Sequence, residues 1–402
     1  MSNSTTRLCA ARSTKKGLRP PMSNITIPQT DPKAAYLAQR AAIDQAIARV
    51  LESGWYILGR EVAAFEQEFA AFHSVGHGIG VANGTDALVL GLRALGVGPG
   101  DAVVTVSHTA VATVAAIELA GARPVLVDTD EFYGMDPDQL DAVMAGRLAA
   151  GASLSQPVKA IIPVHLYGQP VALDRIMAIA GQHGVAVLED CSQAHGATFG
   201  GRIVGTFGAA AAFSLYPTKN LGAIGDGGAL ITGDEALAER LRHLREYGWK
   251  ERYISHLAGH NSRLDELQAA ILRVKLEQLA ADNARRQAIA AAYDRGLEGL
   301  PLDLPRRRPN SASTFHQYVV ETPHRDALRE ALRARGVMTN IHYPQPVHQQ
   351  PAYAGRVPLG PAGLPRTEAA AGRVLSLPMF PQLDDERVAT VIAAVRAAVS
   401  EL

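Results

Sequence analysis

The sequence is poor in cysteine, in long apolar runs and in net charge. Its 402 residues include two cysteines, Cys9 and Cys191. Two are too few for a disulfide framework, so we expect a reducing, cytoplasmic compartment. Arg, Asp, Glu and Gly interrupt the alanine-rich segments before any of them reaches the length of a membrane span. Lys and Arg together number 39, as do Asp and Glu, and the net charge is zero. We therefore expect neither a nucleic-acid partner nor a membrane partner.

The first 24 residues differ in composition from the rest of the chain. Residues 1–24 are rich in Ser, Thr, Lys and Arg, contain no acidic residue and lack the apolar core of a secretory signal. This composition predicts a disordered leader. Residues 22–24 repeat the opening Met-Ser-Asn, which fits a start codon assigned too early. A basic targeting arm is the alternative.

The remaining pattern predicts an α/β protein with a large domain over residues 25–300 and a small α+β domain over residues 301–402. Short β-branched or apolar runs alternate with helical segments, which is typical of a mostly parallel sheet wrapped by helices. The predicted strands are 102–106, 124–127, 160–164 and 185–188 in the large domain and 317–321 in the small one. The predicted helices are 34–52, 61–72, 264–293, 325–335 and a final one from 384.

One lysine follows an apolar strand and precedes a glycine-rich loop. The strand ends near Ser214, Lys219 comes five residues later, and glycines are frequent over 222–228. Glycine lets the backbone and a flat ligand approach closely. Burial at such a position makes the neutral amine nucleophilic toward an aldehyde, as a Schiff-base lysine requires. A single lysine is far more often a surface residue in a loop, so the assignment of Lys219 depends on the residues around it.

An acidic residue follows the predicted strand 185–188. Asp190 comes two residues after that strand, at the edge where open α/β sheets place their sites. A buried carboxylate is costly without a cationic partner. The protonated pyridine nitrogen of pyridoxal phosphate (PLP) is such a partner. Asp190 is therefore a candidate to keep that nitrogen protonated, and Gln193 to donate a hydrogen bond to the phenolic oxygen of the ring.

A third motif, Asn-Gly-Thr-Asp at 83–86, predicts a strand end that turns through glycine into a helix. Free N–H groups and the positive end of the helix dipole make such a turn a phosphate site, with the Thr85 hydroxyl as a further donor. The glycine spacing over 78–84 is one residue too long for a Rossmann fingerprint, and no acidic residue ends the next strand. Both observations disfavour a nucleotide-dependent oxidoreductase.

Six ordered motifs resemble the DegT-type (DegT/StrS) sugar aminotransferases, which are PLP enzymes of fold type I. The resemblance runs from about residue 27 to the C-terminus. Its motifs are GWYILG at 54–59, NGTDAL at 83–88, PVHLYG at 163–168, EDCSQAHG at 189–196, PTKNLG at 217–222 and NSRLDELQ at 261–268. The resemblance implies the type I fold of PLP-dependent transferases, with a mostly parallel seven-stranded sheet in the large domain.

The resemblance also implies roles for single residues. Lys219 is expected to form the Schiff base and to move the proton during catalysis, Asp190 to pair with the ring nitrogen, and Gln193 to lie beside the phenolic oxygen. The residues expected to hold the cofactor phosphate are Gly84, Thr85 and Ser214.

Two further cofactor contacts follow from the resemblance. Asn261 is expected to reach the phosphate of the neighbouring subunit's cofactor, which implies a homodimer with shared active sites. A helix N-cap before Leu264 is the other explanation of Asn261. Family members usually place an aromatic ring over the cofactor, and this sequence has Ala110 at the commonest aromatic position. We expect His108 to supply the ring instead, with a neutral, hydrogen-bonded loop histidine as the alternative.

Substrate contacts are expected from residues in or near these motifs, namely Tyr56, His165, Tyr216, His342 and Tyr343. For the two histidines, the alternative is a packed side chain with satisfied hydrogen bonds. No two histidines have metalloprotease spacing and the cysteines are too far apart for a zinc site, so we predict no metal.

The implied reaction is amino transfer from L-glutamate to a nucleotide-linked keto sugar. The sequence is most similar to members that aminate C3 of dTDP-3-keto-6-deoxyhexoses. Amination at C4 of a dTDP-, UDP- or GDP-4-keto-6-deoxyhexose is the main alternative, because no residue chemistry separates neighbouring carbonyls on one ring. Lys219 disfavours a PLP dehydratase, in which histidine replaces the lysine. A non-catalytic PLP-binding regulator is the alternative from another class.

Overall fold

The structure is a computed structural model that describes residues 27–149, 154 and 156–402, so the predicted leader and Cys9 lie outside the described residues. The helices are α1 (Pro32–Ala38), α2 (Arg40–Ser53), α3 (Arg60–Phe72), α4 (Gly84–Ala94), α5 (Val111–Leu119), α6 (Pro137–Met144), α7 (Leu173–His183), α8 (Glu235–Leu244), α9 (Glu266–Leu297), α10 (Arg325–Ala334), α11 (Pro365–Arg373) and α12 (Asp385–Val399). The strands are β1 (His77–Val81), β2 (Ala102–Val106), β3 (Arg123–Val127), β4 (Val158–Ile161), β5 (Ala186–Asp190), β6 (Thr198–Phe199), β7 (Arg202–Ile203), β8 (Ala210–Ser214), β9 (Gly228–Thr232), β10 (Trp249–Glu251), β11 (Ile254–Ser255), β12 (Ser311–Ala312), β13 (Tyr318–Glu321) and β14 (Val374–Leu377). In this part of the chain, no helix is both long and apolar enough to cross a membrane.

The central sheet has seven strands in the order β1-β9-β8-β5-β4-β2-β3. Strand β9 runs antiparallel to its neighbours β1 and β8, and the remaining neighbours are parallel. All five residues of β2 are buried, because helices cover both faces of a parallel sheet and its strands read as continuous apolar runs. The predicted α/β class and mostly parallel seven-stranded sheet are confirmed.

The first predicted helix, 34–52, is interrupted in the structure. Gln39 has φ −126° and ψ 20°, and this non-helical residue separates α1 from α2. Glutamine has good helix propensity and the apolar spacing continues across it, so nothing in the sequence predicted the break. The predicted end of the segment is correct, since Gly54 adopts the left-handed conformation that terminates α2.

Helix α9 connects two hydrophobic cores. Its first half, with Ala269 and Leu272, packs in the core beneath the central sheet. Its last turns, with Ile289 and Tyr293, pack in a separate core formed with β13, β14, α10 and α12. Ile27 belongs to this second core as well. The C-terminal core therefore includes residues that precede position 301.

The sheet brings four chain segments to one edge. Strands β1, β2, β5 and β8 point the same way, so their carboxyl ends lie at a common edge, where open α/β sheets bind ligands. Helix α4 follows β1, helix α5 follows β2, Asp190 ends β5, and the Lys219 loop follows β8.

Candidate active site

A cavity of about 540 Å³ opens at this edge of the sheet. Its lining includes six residues from the predicted cofactor site and Tyr216, a predicted substrate contact. The lining residues are Asn83, Gly84, Thr85, Asp86, Leu88, Thr109, Ala110, Ala112, Thr113, Val164, Asp190, Ser192, Gln193, Ser214, Tyr216, Lys219, Asp226 and Gly227. Residues far apart in the chain are thus brought together as the motifs predict.

Lys219 reaches the cavity from the turn after β8. Its backbone N–H donates to the carbonyl of Tyr216 at 2.8 Å, which closes the turn. Burial lowers the pKa of Lys219 from 10.5 to about 8, and the negative charge of Asp190 opposes this only in part. At pH 7 about one tenth of the side chain is therefore the neutral amine that attacks an aldehyde, far more than for a lysine with the ordinary pKa of 10.5.

Asp190 faces the cavity from the end of β5 and is 3% exposed. Its Oδ2 accepts a hydrogen bond from the Thr113 hydroxyl at 2.9 Å, and its Oδ1 accepts one from the Ser192 N–H at 3.1 Å. Sequence reasoning missed Thr113, because no local pattern shows that the first turn of α5 packs against the end of β5. The carboxylate is buried, oriented and directed at the cavity.

The start of α4 forms the third wall of the cavity. The Asn83 side chain accepts from the Asp86 N–H at 2.8 Å and so caps the helix. This cap leaves the N–H groups of Gly84 and Thr85 without an intrahelical acceptor. A Cβ on Gly84 would lie 2.6 Å from Cβ of Ser214. The structure therefore requires glycine where β8 crosses the helix start.

Gln193 lines the cavity, and both ends of its amide have protein partners. Its Oε1 accepts from the Tyr167 N–H at 2.8 Å, and its Nε2 donates to the Tyr343 hydroxyl at 3.1 Å. Burial raises the pKa of Tyr343 to about 12, so this hydroxyl stays protonated. The Tyr343 hydroxyl is therefore held next to a residue of the cavity wall.

The structure corrects the expectation for His108. Its side chain is fully buried, with Nε2 2.8 Å from the Tyr167 hydroxyl and the ring against Tyr133. Burial lowers the pKa of His108 to about 4, so the ring is neutral. The cavity wall here consists of Thr109 and Ala110 instead. The ring points into the protein because its partners are aromatic residues behind the wall.

His165 is likewise unavailable to substrate. It is fully buried, its Nδ1 accepts from the Val171 N–H at 3.2 Å, and its Nε2 lies 3.1 Å from Glu189 Oε2. Because Nδ1 is an acceptor, the proton resides on Nε2 and is donated to the carboxylate. Cys191 lies within 4.8 Å of both groups. The two ring nitrogens are already used, which leaves His165 no lone pair for a metal.

The other predicted contacts are distributed around the site. His342 is partly buried with Nδ1 2.8 Å from the Ser376 hydroxyl, and burial together with the charge of Lys219 lowers its pKa to about 4. Tyr56 is 48% exposed, and its hydroxyl donates to the Leu51 carbonyl rather than into the cavity. Both side chains are outside the cavity lining.

Asn261 is exposed and pairs with Glu246 in an isolated antiparallel bridge. The N-cap explanation of this residue is wrong, because Asp265 occupies the N-cap position of α9 and the helix begins at Glu266. Its expected contact across a subunit interface remains a prediction.

Comparison with known proteins identifies the family. The model of the DegT/DnrJ/EryC1/StrS aminotransferase family matches residues 38–396. A curated relative from Streptomyces venezuelae is named dTDP-3-amino-3,4,6-trideoxy-alpha-D-glucose transaminase. It is 49% identical over 372 residues, which cover 92% of this chain and 95% of the relative.

Solved structures show the same similarity. The crystal structure of S. venezuelae DesV in complex with a ketimine intermediate is 47% identical with a TM-score of 0.88, and the match covers 94% of this chain and 99% of that chain. The structure of NtdA from Bacillus subtilis with bound cofactor PMP is 27% identical with a TM-score of 0.80, covering 90% of this chain and 82% of that chain. These matches confirm the resemblance stated from the motifs, and the chain belongs to the DegT/DnrJ/EryC1/StrS aminotransferase family.

Proposed function

We propose that this protein is a PLP-dependent aminotransferase that transfers the amino group of L-glutamate to C3 of a dTDP-linked 3-keto-6-deoxyhexose. One observation carries the proposal. Lys219, Asp190 and the start of α4 line a single cavity of about 540 Å³. An amine, a carboxylate and a phosphate-binding helix start are the three groups that a pyridoxal cofactor requires of its site.

The residues of the cavity fit this cofactor. Gly84 and Thr85 offer unused backbone N–H groups at a helix N-terminus, and the missing Cβ of Gly84 leaves room beside Ser214. These three residues would hold the phosphate. Asp190, buried and oriented by two donors, would hold the ring nitrogen. Gln193 would lie beside the phenolic oxygen, with its Nε2 shared between that oxygen and Tyr343.

Lys219 has two tasks in this proposal. Its lowered pKa, about 8, supplies the neutral amine that attaches the cofactor. Once released, the same amine accepts and returns a proton at the substrate carbon, which requires hydrogen-bond reach within the cavity. When bound, PLP supplies the electron sink that weakens the bond to that proton. The carboxylate of Asp190 maintains the sink by keeping the ring nitrogen protonated.

A homodimer with shared active sites belongs to the proposal. Support comes from exposed apolar side chains in the loop that joins α2 to α3, where Trp55 is 64%, Tyr56 48% and Ile57 39% exposed. An association of two chains would cover such a surface. In this dimer, Asn261 would contribute to the phosphate site of the second subunit and Tyr56 to its substrate site.

The chain divides into two domains in this proposal. We propose a large domain over residues 25–300 and a small one over 301–402. The separate C-terminal core supports two domains, and Ile27 and the last turns of α9 join that core from the large domain. We further propose a cytoplasmic location, which agrees with the buried free thiol of Cys191.

The choice of C3 and of dTDP depends on the named activity of the Streptomyces venezuelae relative. C4 amination of a 4-keto sugar nucleotide is the alternative, and the two require the same cofactor residues. A PLP-binding regulator without catalysis is disfavoured because Lys219 retains both a lowered pKa and access to the cavity.

The test is an amino-transfer assay with the purified protein, PLP and L-glutamate. A panel of dTDP- and UDP-linked 3-keto and 4-keto sugars is offered, and mass spectrometry and NMR of the product report the aminated carbon. We expect C3 amination of the dTDP-3-keto sugar and release of 2-oxoglutarate. Product aminated at C4 would contradict the substrate, and PLP binding without any amino transfer would favour the regulator.

Two lysine variants provide a matched comparison for this assay. Burial lowers the pKa of Lys275 to about 8, as it does for Lys219, but Lys275 lies outside the cavity that contains Asp190. Lys219→Ala is expected to abolish both the visible absorption of lysine-bound cofactor and amino transfer. Lys275→Ala removes a donor to the Gly222 carbonyl in the loop after Lys219 and is expected to retain the visible absorption. Loss in the Lys275 variant alone would contradict the assignment.

A further inference from the structure

A chain of two threonines leads to Asp190. Thr113 Oγ1 lies 2.9 Å from Asp190 Oδ2, and Thr109 Oγ1 lies 3.1 Å from Thr113 Oγ1. Both threonines are almost fully buried, at 3% exposure for Thr109 and 1% for Thr113, and both line the cavity. Thr113 is in the first turn of α5, so the N-terminal end of that helix also faces the carboxylate.

The chemistry of the groups fixes the direction of both hydrogen bonds. An ionised carboxylate only accepts, so the single hydroxyl proton of Thr113 is donated to Asp190. The oxygen of Thr113 then acts as acceptor toward the hydroxyl of Thr109. Each bond polarises the next, which strengthens the donation to the carboxylate. Ser192 N–H donates to the other oxygen, and the free acceptor capacity of Asp190 is directed at the cavity.

From this geometry, and resting on the proposed function, we propose that Thr113 is a positioning residue that sets the proton on the cofactor ring nitrogen through Asp190. A donor to a carboxylate favours its ionised form. An ionised Asp190 leaves the proton on the ring nitrogen, whereas a carboxylate deprived of that donor competes for it. Thr109 supports Thr113 by donating to its oxygen.

The test uses PLP labelled with 15N in the ring, because the 15N chemical shift reports directly whether that nitrogen is protonated. Thr113→Val keeps the shape of the side chain and removes the donor, and Thr113→Ser restores the hydroxyl. Thr105→Val is the matched control, since Thr105 is also fully buried and donates one hydrogen bond, to the Ile162 carbonyl at 2.9 Å, away from the cavity.

We expect the wild type, T113S and T105V to show the shift of a protonated ring nitrogen, and T113V to move toward the unprotonated value. In T113V we also expect kcat to fall about tenfold, equivalent to about 1.4 kcal/mol, with KM for both substrates little changed. A merely structural role would lower thermal stability in T113V and T105V alike and leave the 15N shift unchanged.

A loaded T113V protein with the wild-type 15N shift and wild-type kcat would overturn the proposal. If T113V does not fold, Thr113→Ala removes the same donor with a smaller side chain. A changed 15N shift in that variant would then support the proposal, and a wild-type shift with wild-type kcat would overturn it. Failure of the proposed function appears separately, as a wild-type protein that binds no PLP.

Discussion

Two carboxylates adjacent in the chain end strand β5, and the structure gives them opposite environments. Because successive side chains of a strand point to opposite faces, Glu189 and Asp190 face different sides of the sheet. Glu189 accepts hydrogen bonds from His165 and from the N–H groups of Gly205, Phe207 and Gly208. Asp190 accepts from the Thr113 hydroxyl and the Ser192 N–H, and it borders the cavity.

The difference separates a carboxylate bonded entirely within the protein from the one that we propose binds the cofactor. The bonds to Glu189 lower its pKa although burial opposes the charge, and both of its oxygens are occupied. The bonds from Gly205, Phe207 and Gly208 hold the loop after β7 against the end of β5. Asp190 keeps acceptor capacity on the cavity side, where a cationic ligand nitrogen can approach. A position at the carboxyl edge of the sheet is therefore not enough to make a carboxylate available to a ligand. What distinguishes Asp190 from Glu189 is that its oxygens retain lone pairs that face the cavity.

The largest expected effect is that of Asp190→Asn on catalysis. The amide cannot hold a proton on the ring nitrogen, so we expect kcat to fall by about 10²–10³, the range for loss of one preorganised electrostatic group. We expect a smaller loss of stability than at Glu189, because Asp190 has two protein donors against the four of Glu189. Steady-state kinetics and a thermal melt of the loaded protein measure both. A variant with near wild-type kcat would contradict the proposed role of Asp190 in catalysis.

The pH dependence of cofactor attachment tests the lowered pKa of Lys219 and requires no substrate. The pKa of Lys219 is lowered from 10.5 to about 8, so below that pH the amine is mostly protonated and the reactive neutral fraction falls with pH. We expect the rate at which cofactor-free protein captures PLP to rise about tenfold per pH unit up to about pH 8 and then to level off. Stopped-flow absorbance measures this rate. A rate that continues to rise beyond pH 9 would indicate an ordinary, solvated lysine.

Glu189→Gln is expected to affect stability rather than chemistry. The glutamine retains one acceptor oxygen but turns an NH2 group toward the His165 or backbone donors. A buried donor left without an acceptor costs about 1–3 kcal/mol. Chemical denaturation measures this loss, and kcat per molecule of folded, loaded protein should fall less than in Asp190→Asn. Equal loss of kcat in the two variants would contradict the proposed difference in role between Glu189 and Asp190.

Two glycines extend the comparison with a smaller expected effect. A Cβ on Gly84 would lie 2.6 Å from Cβ of Ser214, and one on Gly208 would lie 2.5 Å from the Val187 carbonyl oxygen. Each alanine variant should cost about 1–3 kcal/mol by overpacking. We expect Gly84→Ala to weaken PLP binding and Gly208→Ala to lower the melting temperature. Gly98→Ala, where nothing lies within 4 Å, is the neutral control; weakened PLP binding in that variant would discredit the readout.

The sequence predicted the parts of the site that local chemistry determines. Lys219, Asp190 and Gly84 each follow a strand end, and strand ends are visible in apolar runs and turn residues. The parallel sheet then brings them to one edge. The same reasoning located the C-cap at Gly54, because a left-handed glycine leaves a local signal.

Features that depend on long-range packing were not predictable in this way. Thr113 donates to a residue 77 positions away, and only the docking of α5 against β5 creates that contact. His108 and His165 were expected near ligands, but their partners Tyr167 and Glu189 hold both rings inside the protein. A histidine near a strand end has no sequence feature that reveals which way its ring points.

We propose that Lys219, beside Asp190, carries the cofactor. Borohydride reduction of the PLP-loaded protein fixes the cofactor to the lysine that holds it, and peptide mass mapping then identifies that lysine. We expect a single modified peptide, which contains Lys219. Modification of Lys275, whose pKa burial also lowers to about 8, or of several surface lysines with Lys219 unmodified, would contradict it.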